Sequence, residues 1–229
     1  MPTAQKIRMF LAGFVTSLGA LATVCVVLIT PQWVTGKIKF SDNRFSNGSV
    51  LITYGLFRGE STQELDSGLA EPDLTFEVLS KLSNSSQKTL HLLVITLLLF
   101  SLSTSLLSSG LTFFNSVSNP YQTWLGPTSI FVWNGLSMTF VVVAMILFAV
   151  NTQANNLSGV LSSTLYLMEG YTYGDTTHTY QYSFWLLLLI LLLNILTVIV
   201  IVFYQKARYH RKQEHQKPME NAPKDGILF

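Results

Sequence analysis

Cysteine and charged residues are scarce in this chain of 229 residues. It has a single cysteine, Cys25, so no disulfide can form within the chain, and any loop outside the cell must keep its shape without one. Only 11% of the residues are charged and 49% are hydrophobic, whereas an average soluble domain is about 25% charged. The net charge of +2 is too small to indicate nucleic acid as a partner. The composition therefore argues for a membrane protein.

No arrangement of residues typical of a catalytic or metal site is visible in the sequence. The four histidines have no spacing typical of metal ligands, and no Ser-His-Asp set, phosphate-binding loop or carboxylate pair is visible. No Asp, Glu, Lys or Arg lies inside the long apolar runs, which argues against a pump or a proton-coupled transporter. We therefore expect that the protein is not an enzyme and uses no cofactor and no metal.

Four apolar runs are long enough to cross a bilayer, whose hydrocarbon core takes about 20 residues of helix. They lie at about 9–29, 90–114, 128–150 and 184–203. The sequence predicts an all-α membrane protein, a four-transmembrane-helix bundle, with a membrane domain over 1–204 and a basic cytosolic tail over 205–229.

The first run has a rival interpretation as a signal peptide. Lys6 and Arg8 precede it, and Ala20-Leu21-Ala22 resembles a signal-peptidase site. The run continues to Ile29, however, and so exceeds the 7–15 residues that a signal peptide usually has. An uncleaved span is favoured.

The basic residues predict the orientation, because Lys and Arg prefer the cytosolic side of a membrane. Placing both termini in the cytosol puts eight of the fourteen basic residues there: Lys6, Arg8, Lys206, Arg208, Arg211, Lys212, Lys217 and Lys224. The outer loops are then 30–89 and 151–183, and the inner loop is 115–127. We expect a multi-pass protein of the plasma membrane.

Three sequons for N-glycosylation agree with this orientation. They begin at Asn47, Asn84 and Asn156, and all three lie in the two outer loops. Asn47 is the best candidate for a glycan, because Asn84 and Asn156 lie close to predicted span ends.

The outer loops carry strand signals. Asn47-Gly48 lies between KIKF and SVLITYGLF, which is typical of a β-hairpin. The spacing of Leu74, Val78 and Leu82 predicts a short amphipathic helix. In the second outer loop, helical spacing continues from the third span, and alternating tyrosines around Gly174-Asp175 predict an extra strand or a hairpin. We expect a small extracellular β-sheet built mainly from the first outer loop.

The layout resembles the clarin family, within the claudin and peripheral-myelin-protein superfamily of four-span proteins. In the first outer loop the resemblance is carried by Trp33 and by Tyr54, Gly55, Leu56 and Phe57. Elsewhere it is carried by the start MPTAQK, by Gly126-Pro127, MILFA and SFW, and by the end ILF. The loop lacks the cysteines of claudins, which argues against a sealing role between cells. The resemblance implies a membrane organiser.

Small and polar residues at helical spacing predict close helix packing. They are Ala12, Thr16 and Ala20 in the first span, Ser101, Ser105 and Ser109 in the second, and Asn134 and Asn194 in the third and fourth. The alternative is that these faces bind another membrane protein or another copy, or, for the two asparagines, line an ion pathway. The ending Ile227, Leu228 and Phe229 could add as a strand to a PDZ domain.

Three functions remain open from the sequence. The first is a scaffold that organises other membrane proteins within the lipid bilayer through lateral helix contacts and its outer loops. The second is an auxiliary subunit or modulator of an ion channel or transporter. A pore formed by the protein itself is a third reading.

The predicted topology can be tested by glycosidase-shift mapping in intact cells. We expect Asn47→Gln to remove a glycan, and tags at both termini to stay inaccessible until the cells are permeabilised. Asn156→Gln serves as the matched variant in the other outer loop. An exposed or cleaved N-terminal tag would contradict the assignment of the first span.

Overall fold

The computed structural model describes residues 4–41, 47–65, 73–83, 86–117, 126–166 and 172–220. Asn84 and the C-terminal Ile227, Leu228 and Phe229 lie outside these residues, so their predicted roles remain predictions. The helices are α1 Ala4–Ile29, α2 Val78–Lys81, α3 Ser86–Val117, α4 Pro127–Gln153, α5 Leu157–Leu165 and α6 Tyr182–Glu220. The strands are β1 Val34–Ser41, β2 Asn47–Tyr54, β3 Arg58–Leu65, β4 Leu74–Glu77 and β5 Thr172–Tyr180.

Four of these helices, α1, α3, α4 and α6, are long and apolar enough to cross a membrane. They confirm the four predicted spans. Packing joins them in a closed ring in which α1 and α4 each lie between α3 and α6. Pro127 stands in the first turn of α4, where its missing N–H costs no hydrogen bond. The last helix continues beyond the predicted span end at 203 as far as Glu220.

The strands form one antiparallel sheet in the order β4-β3-β2-β1-β5. Four strands come from the chain between α1 and α3, and the fifth comes from the chain between α5 and α6. This confirms a small sheet built mainly from the first predicted outer loop. Val50, Ile52 and Tyr54 are buried while Leu51 is 38% exposed, as the alternation of side chains along a strand requires.

Three local predictions need correction. The hairpin of β1 and β2 is present, but Asn47 and Gly48 pair with Ser41 and Phe40 inside it and do not form the turn. Leu74 begins strand β4, so the predicted amphipathic helix shrinks to the single turn of α2. It does so because Leu74 pairs with Ser61 of β3, so tertiary pairing outweighs the helical spacing.

The third correction concerns the second predicted outer loop. The helix does not run on from the third span, because Asn156 adopts a left-handed conformation with φ of 46° and separates α4 from α5. Asn tolerates this conformation better than most residues. Beyond α5, Gly174-Asp175 lies within β5, which pairs with β1 as one extra strand.

Polar side chains link the long helices inside the bundle. The Ser137 hydroxyl of α4 lies 3.0 Å from the hydroxyls of both Ser101 and Ser105 of α3, and it accepts a hydrogen bond of 3.4 Å from Nδ2 of Asn194 in α6. Nδ2 of Asn134 donates to the Ser108 hydroxyl at 2.6 Å. Ser137 is fully buried, so it joins three helices at one point.

The other residues predicted for packing take different positions. Ala20 and Ser109 are buried, and Ala12 is exposed. Thr16 of α1 is half-buried, and its hydroxyl lies 2.8 Å from that of Thr197 in α6. Seven of these eight predicted residues therefore face other helices of the same chain, at least in part.

Replacing the central serine should loosen the bundle. We expect Ser137→Ala to lower the free energy of unfolding by about 1–2 kcal/mol, because it removes contacts to Ser101, Ser105 and Asn194, each contributing about 0.6 kcal/mol. Thermal unfolding in detergent measures the change.

The matched control is Ser103→Ala, which removes an exposed hydroxyl that donates only to Leu99 O of its own helix. Its effect should stay within about 0.5 kcal/mol. An equal loss in both variants would show that the buried network contributes nothing specific.

Candidate functional site

Trp33 is the residue at which α1 meets the sheet. Its side chain is fully buried, and Nε1 donates to Val27 O in the last turn of α1 at 2.9 Å. Its backbone N–H donates to Tyr54 O at 3.1 Å, and its carbonyl accepts from the Gln181 N–H at 2.9 Å. One residue thus joins the end of α1, the end of β2 and the end of β5.

Aromatic rings continue this contact into the bundle. The ring of Trp33 lies 4.7 Å from that of Phe148 in α4, and Phe148 lies 6.1 Å from Phe184 in α6. Tyr180 at the end of β5 stacks on Phe184 at 4.3 Å. Aromatic pairs at these separations add attraction beyond the area that they bury, so the sheet is fixed to α4 and α6 as well as to α1.

The segment Tyr54-Gly55-Leu56-Phe57 forms the turn between β2 and β3. A Cβ atom on Gly55 would lie 2.5 Å from Thr30 O and 2.7 Å from the Cα of Pro31. Glycine is required here because the turn presses against the backbone that leaves α1. Tyr54 and Leu56 are fully buried, whereas Phe57 is 43% exposed.

His91 of α3 contacts this turn from the side of the helical bundle. Its Nε2 lies 2.8 Å from Leu56 O, and since a carbonyl can only accept, Nε2 carries the hydrogen. The ring is fully buried and Nδ1 has no hydrogen-bond partner among the described residues. The carbonyl of the next residue, Phe57, accepts from the Val78 N–H of α2 at 2.9 Å. We call Trp33, the turn 54–57, His91, Phe148 and Phe184 the junction.

A second polar cluster lies beside the junction. The Tyr54 hydroxyl is 3.0 Å from the Ser158 hydroxyl of α5, which is 3.1 Å from Nδ1 of His178 in β5. Burial raises the pKa of Tyr54 to about 12 and lowers the pKa of His178. At neutral pH both side chains are therefore uncharged, and a chain in which Tyr54 donates to Ser158 and Ser158 donates to His178 satisfies all three.

This cluster contains a contact between serine and histidine that the sequence did not reveal. Ser158 is fully buried, so a substrate has no access to its hydroxyl. A Cβ atom added to Gly36 of β1 would lie only 2.7 Å from the Cβ of Ser158. The absence of a side chain at Gly36 therefore lets α5 pack closely on the sheet. The geometry therefore fits a structural link between α5 and the sheet. Among the described residues, no group of three or more His, Cys, Asp or Glu could hold a metal ion.

The remaining predicted site residues are the asparagines of the sequons. Asn156 is exposed, and its side-chain oxygen accepts from the Gly159 N–H at 3.3 Å, which caps α5. Asn47 is the first residue of β2. Glycosylation at either remains a prediction.

Sequence reasoning missed the partners of the predicted motif. Phe148 and Phe184 lie in the pieces MILFA and SFW, and Ser158 lies in the sequon that begins at Asn156. No pattern in the sequence connected them, or His178, to the turn 54–57. The one available signal was that His91 is the sole ionisable group of its apolar run, since such residues inside spans are usually functional.

Substituting the glycine of the junction should damage the fold. We expect Gly55→Ala to lower the free energy of unfolding by about 1–3 kcal/mol, because the new methyl group must displace the backbone of Thr30 and Pro31. Gly135→Ala is the matched control, since a Cβ at this position of α4 meets no atom within 4 Å, and alanine stabilises a helix by up to about 1 kcal/mol over glycine. Thermal unfolding in detergent compares the two; equal destabilisation would contradict the close contact at Gly55.

Comparisons with known proteins identify the relatives of this chain. A family model described as Clarin-2-like matches residues 5–201. Over 229 residues, the whole of both chains, the sequence is 60% identical to Clarin-3 of Homo sapiens and 58% identical to Clarin-3 of Mus musculus. It is 24% identical to Clarin-1 of Homo sapiens over 196 residues, which is 82% of this chain and 83% of that one. The chain is therefore a multi-pass membrane protein that belongs to the clarin family.

Proposed function

We propose that the protein is a non-enzymatic organiser of other membrane proteins, which binds them through its outer sheet and through lateral helix contacts. The observation that carries this proposal is the junction. It ties the sheet to α1, α3, α4 and α6 through Trp33, His91, Phe148 and Phe184, so the sheet is a rigid platform on the bundle.

The orientation belongs to the same proposal. The sheet lies outside the cell, both termini are cytosolic, and the protein resides in the plasma membrane. Support comes from the fold, because α1 ends and α6 begins beside the sheet, so the start of α1 and the end of α6 lie at the opposite end of the bundle. Lys206 and Arg208, which follow the fourth predicted span, lie at that end, as the preference of Lys and Arg for the cytosol requires.

The surfaces available to partners are those whose side chains or backbone groups make no contact within the bundle. Ser101, Ser105 and Asn194 are occupied inside it, so polar contacts of these residues serve the fold. The outward helix faces carry large apolar side chains such as Leu106 and Ile146, which are 60% and 57% exposed. Strands β4 and β5 form the two edges of the sheet, and an edge strand offers backbone groups to a partner chain.

Site-specific photocrosslinking in native membranes tests the proposal. A photoreactive phenylalanine analogue replaces Phe57 or Leu51, whose side chains are exposed on the sheet side, and the matched control carries it at the fully buried Phe148. We expect the same partner protein at the two exposed positions and none at position 148. If neither exposed position yields a protein adduct, the organiser proposal fails.

Co-expression with the captured partner separates the organiser from the auxiliary subunit. Changed clustering or abundance of the partner supports an organiser. A changed current at unchanged abundance of a captured channel supports a modulator instead. Conductance of the purified chain alone in liposomes would indicate a pore.

A further inference from the structure

A groove with a basic rim lies between α1 and α6, at the end of the bundle away from the sheet. Its volume is about 670 Å³, within the range of about 300–1,000 Å³ that small-ligand sites occupy. Apolar side chains form its walls: Met9 and Ala12 from α1, and Val200, Phe203 and Ala207 from α6. Phe203 is 61% exposed, so the groove opens sideways toward the surrounding medium.

Three basic residues also border this groove, and they line it with the apolar parts of their side chains. Arg8 comes from α1, and Lys206 and His210 come from α6, where a spacing of four places them on one face. All three are exposed. No acidic residue precedes Arg8 in the sequence, and the first acidic residue along α6 is Glu214, beyond His210. The groove therefore combines an apolar wall with a rim of positive charge.

We propose that this groove binds one anionic phospholipid. An acyl chain lies along Ala12, Val200 and Phe203, and the headgroup phosphate binds between Arg8 and Lys206. A guanidinium can donate two parallel hydrogen bonds to a phosphate, and an ammonium adds a mobile point charge. His210 supplies a further ring nitrogen at the same rim.

The chemistry of the groove selects this ligand over others. A soluble anion would use the cations but leave the apolar wall uncovered, and a neutral lipid would cover the wall but leave the cations unpaired. An anionic lipid satisfies both. Such lipids are concentrated in the cytoplasmic leaflet, which this end of the bundle faces in the orientation proposed above.

The site differs from the general attraction of a basic tail to anionic lipid. That attraction depends on the number of cations near the surface and falls off within a Debye length. Binding at a defined site depends instead on which cation is removed and on whether the apolar wall is accessible. Two pairs of matched variants separate these cases.

The charge pair is Lys206→Gln and Arg208→Gln. Both remove one positive charge from α6, but only Lys206 lines the groove, and Arg208 is exposed outside it. The wall pair is Ala12→Phe and Ala4→Phe. Ala12 lines the groove, whereas Ala4 is exposed at the start of the same helix, and neither change alters the net charge.

The experiment uses the full chain in nanodiscs of phosphatidylcholine that contain a trace of photoactivatable phosphatidylserine. A parallel sample carries photoactivatable phosphatidylcholine with the same acyl chains. Mass spectrometry quantifies lipid adducts on peptides from both sides of the groove, and thermal unfolding verifies that each variant is folded.

We expect the serine lipid to label the groove peptides several-fold more than the choline lipid does. Lys206→Gln should lower this labelling about tenfold, the effect of losing one hydrogen bond between charged groups, and Ala12→Phe should lower it without a change of charge. Arg208→Gln and Ala4→Phe should leave it unchanged.

Three outcomes would overturn the site. They are equal labelling by both lipids, equal losses in Lys206→Gln and Arg208→Gln, and equal losses in Ala12→Phe and Ala4→Phe. No partner protein is present in the nanodiscs, so the result is independent of whether the chain organises other membrane proteins.

Discussion

The indole of Trp33 is the contact on which the outer half of this protein depends. A sheet without disulfides has to be fixed by packing and hydrogen bonds, and Trp33 supplies both at the point where the chain leaves α1. Its Nε1–H satisfies the carbonyl of Val27, one of the last carbonyls of the helix, which have no partner within the helix itself. Its backbone pairs with Tyr54 and Gln181, so the ends of β2 and β5 are positioned by the same residue. The close approach of Gly55 to the adjacent backbone follows from this geometry.

The interior of the bundle is stabilised differently from the sheet, because helices in lipid gain little from burying apolar surface against each other. Hydroxyl and amide groups take over, with Ser137 as the point where α3, α4 and α6 meet. This arrangement leaves large apolar side chains for the outward faces. The groove between α1 and α6 is the place where apolar walls and cations coincide, and it lies at the opposite end from the sheet.

The membrane spans could be predicted from the sequence because length and hydropathy suffice to define them. The hairpin of β1 and β2 was predictable from alternation, and β5 from its alternating tyrosines. The boundaries inside the loops were not, since they depend on tertiary contacts: Leu74 joins a strand because β3 lies beside it, and the helix breaks at Asn156, which takes a left-handed conformation. The motif Tyr54-Gly55-Leu56-Phe57 was found, but its partner His91 is distant in sequence, and only the structure shows that the two are in contact.

The position of Ser158 has a consequence for the sequon at Asn156. A sequon is recognised through its asparagine and its serine together, and here the asparagine is exposed while the serine hydroxyl is buried between Tyr54 and His178. Asn156 also caps α5 through its own side-chain oxygen. Once α5 has packed on the sheet, the serine can no longer be reached. Any glycosylation at Asn156 would therefore have to precede the docking of α5 on the sheet.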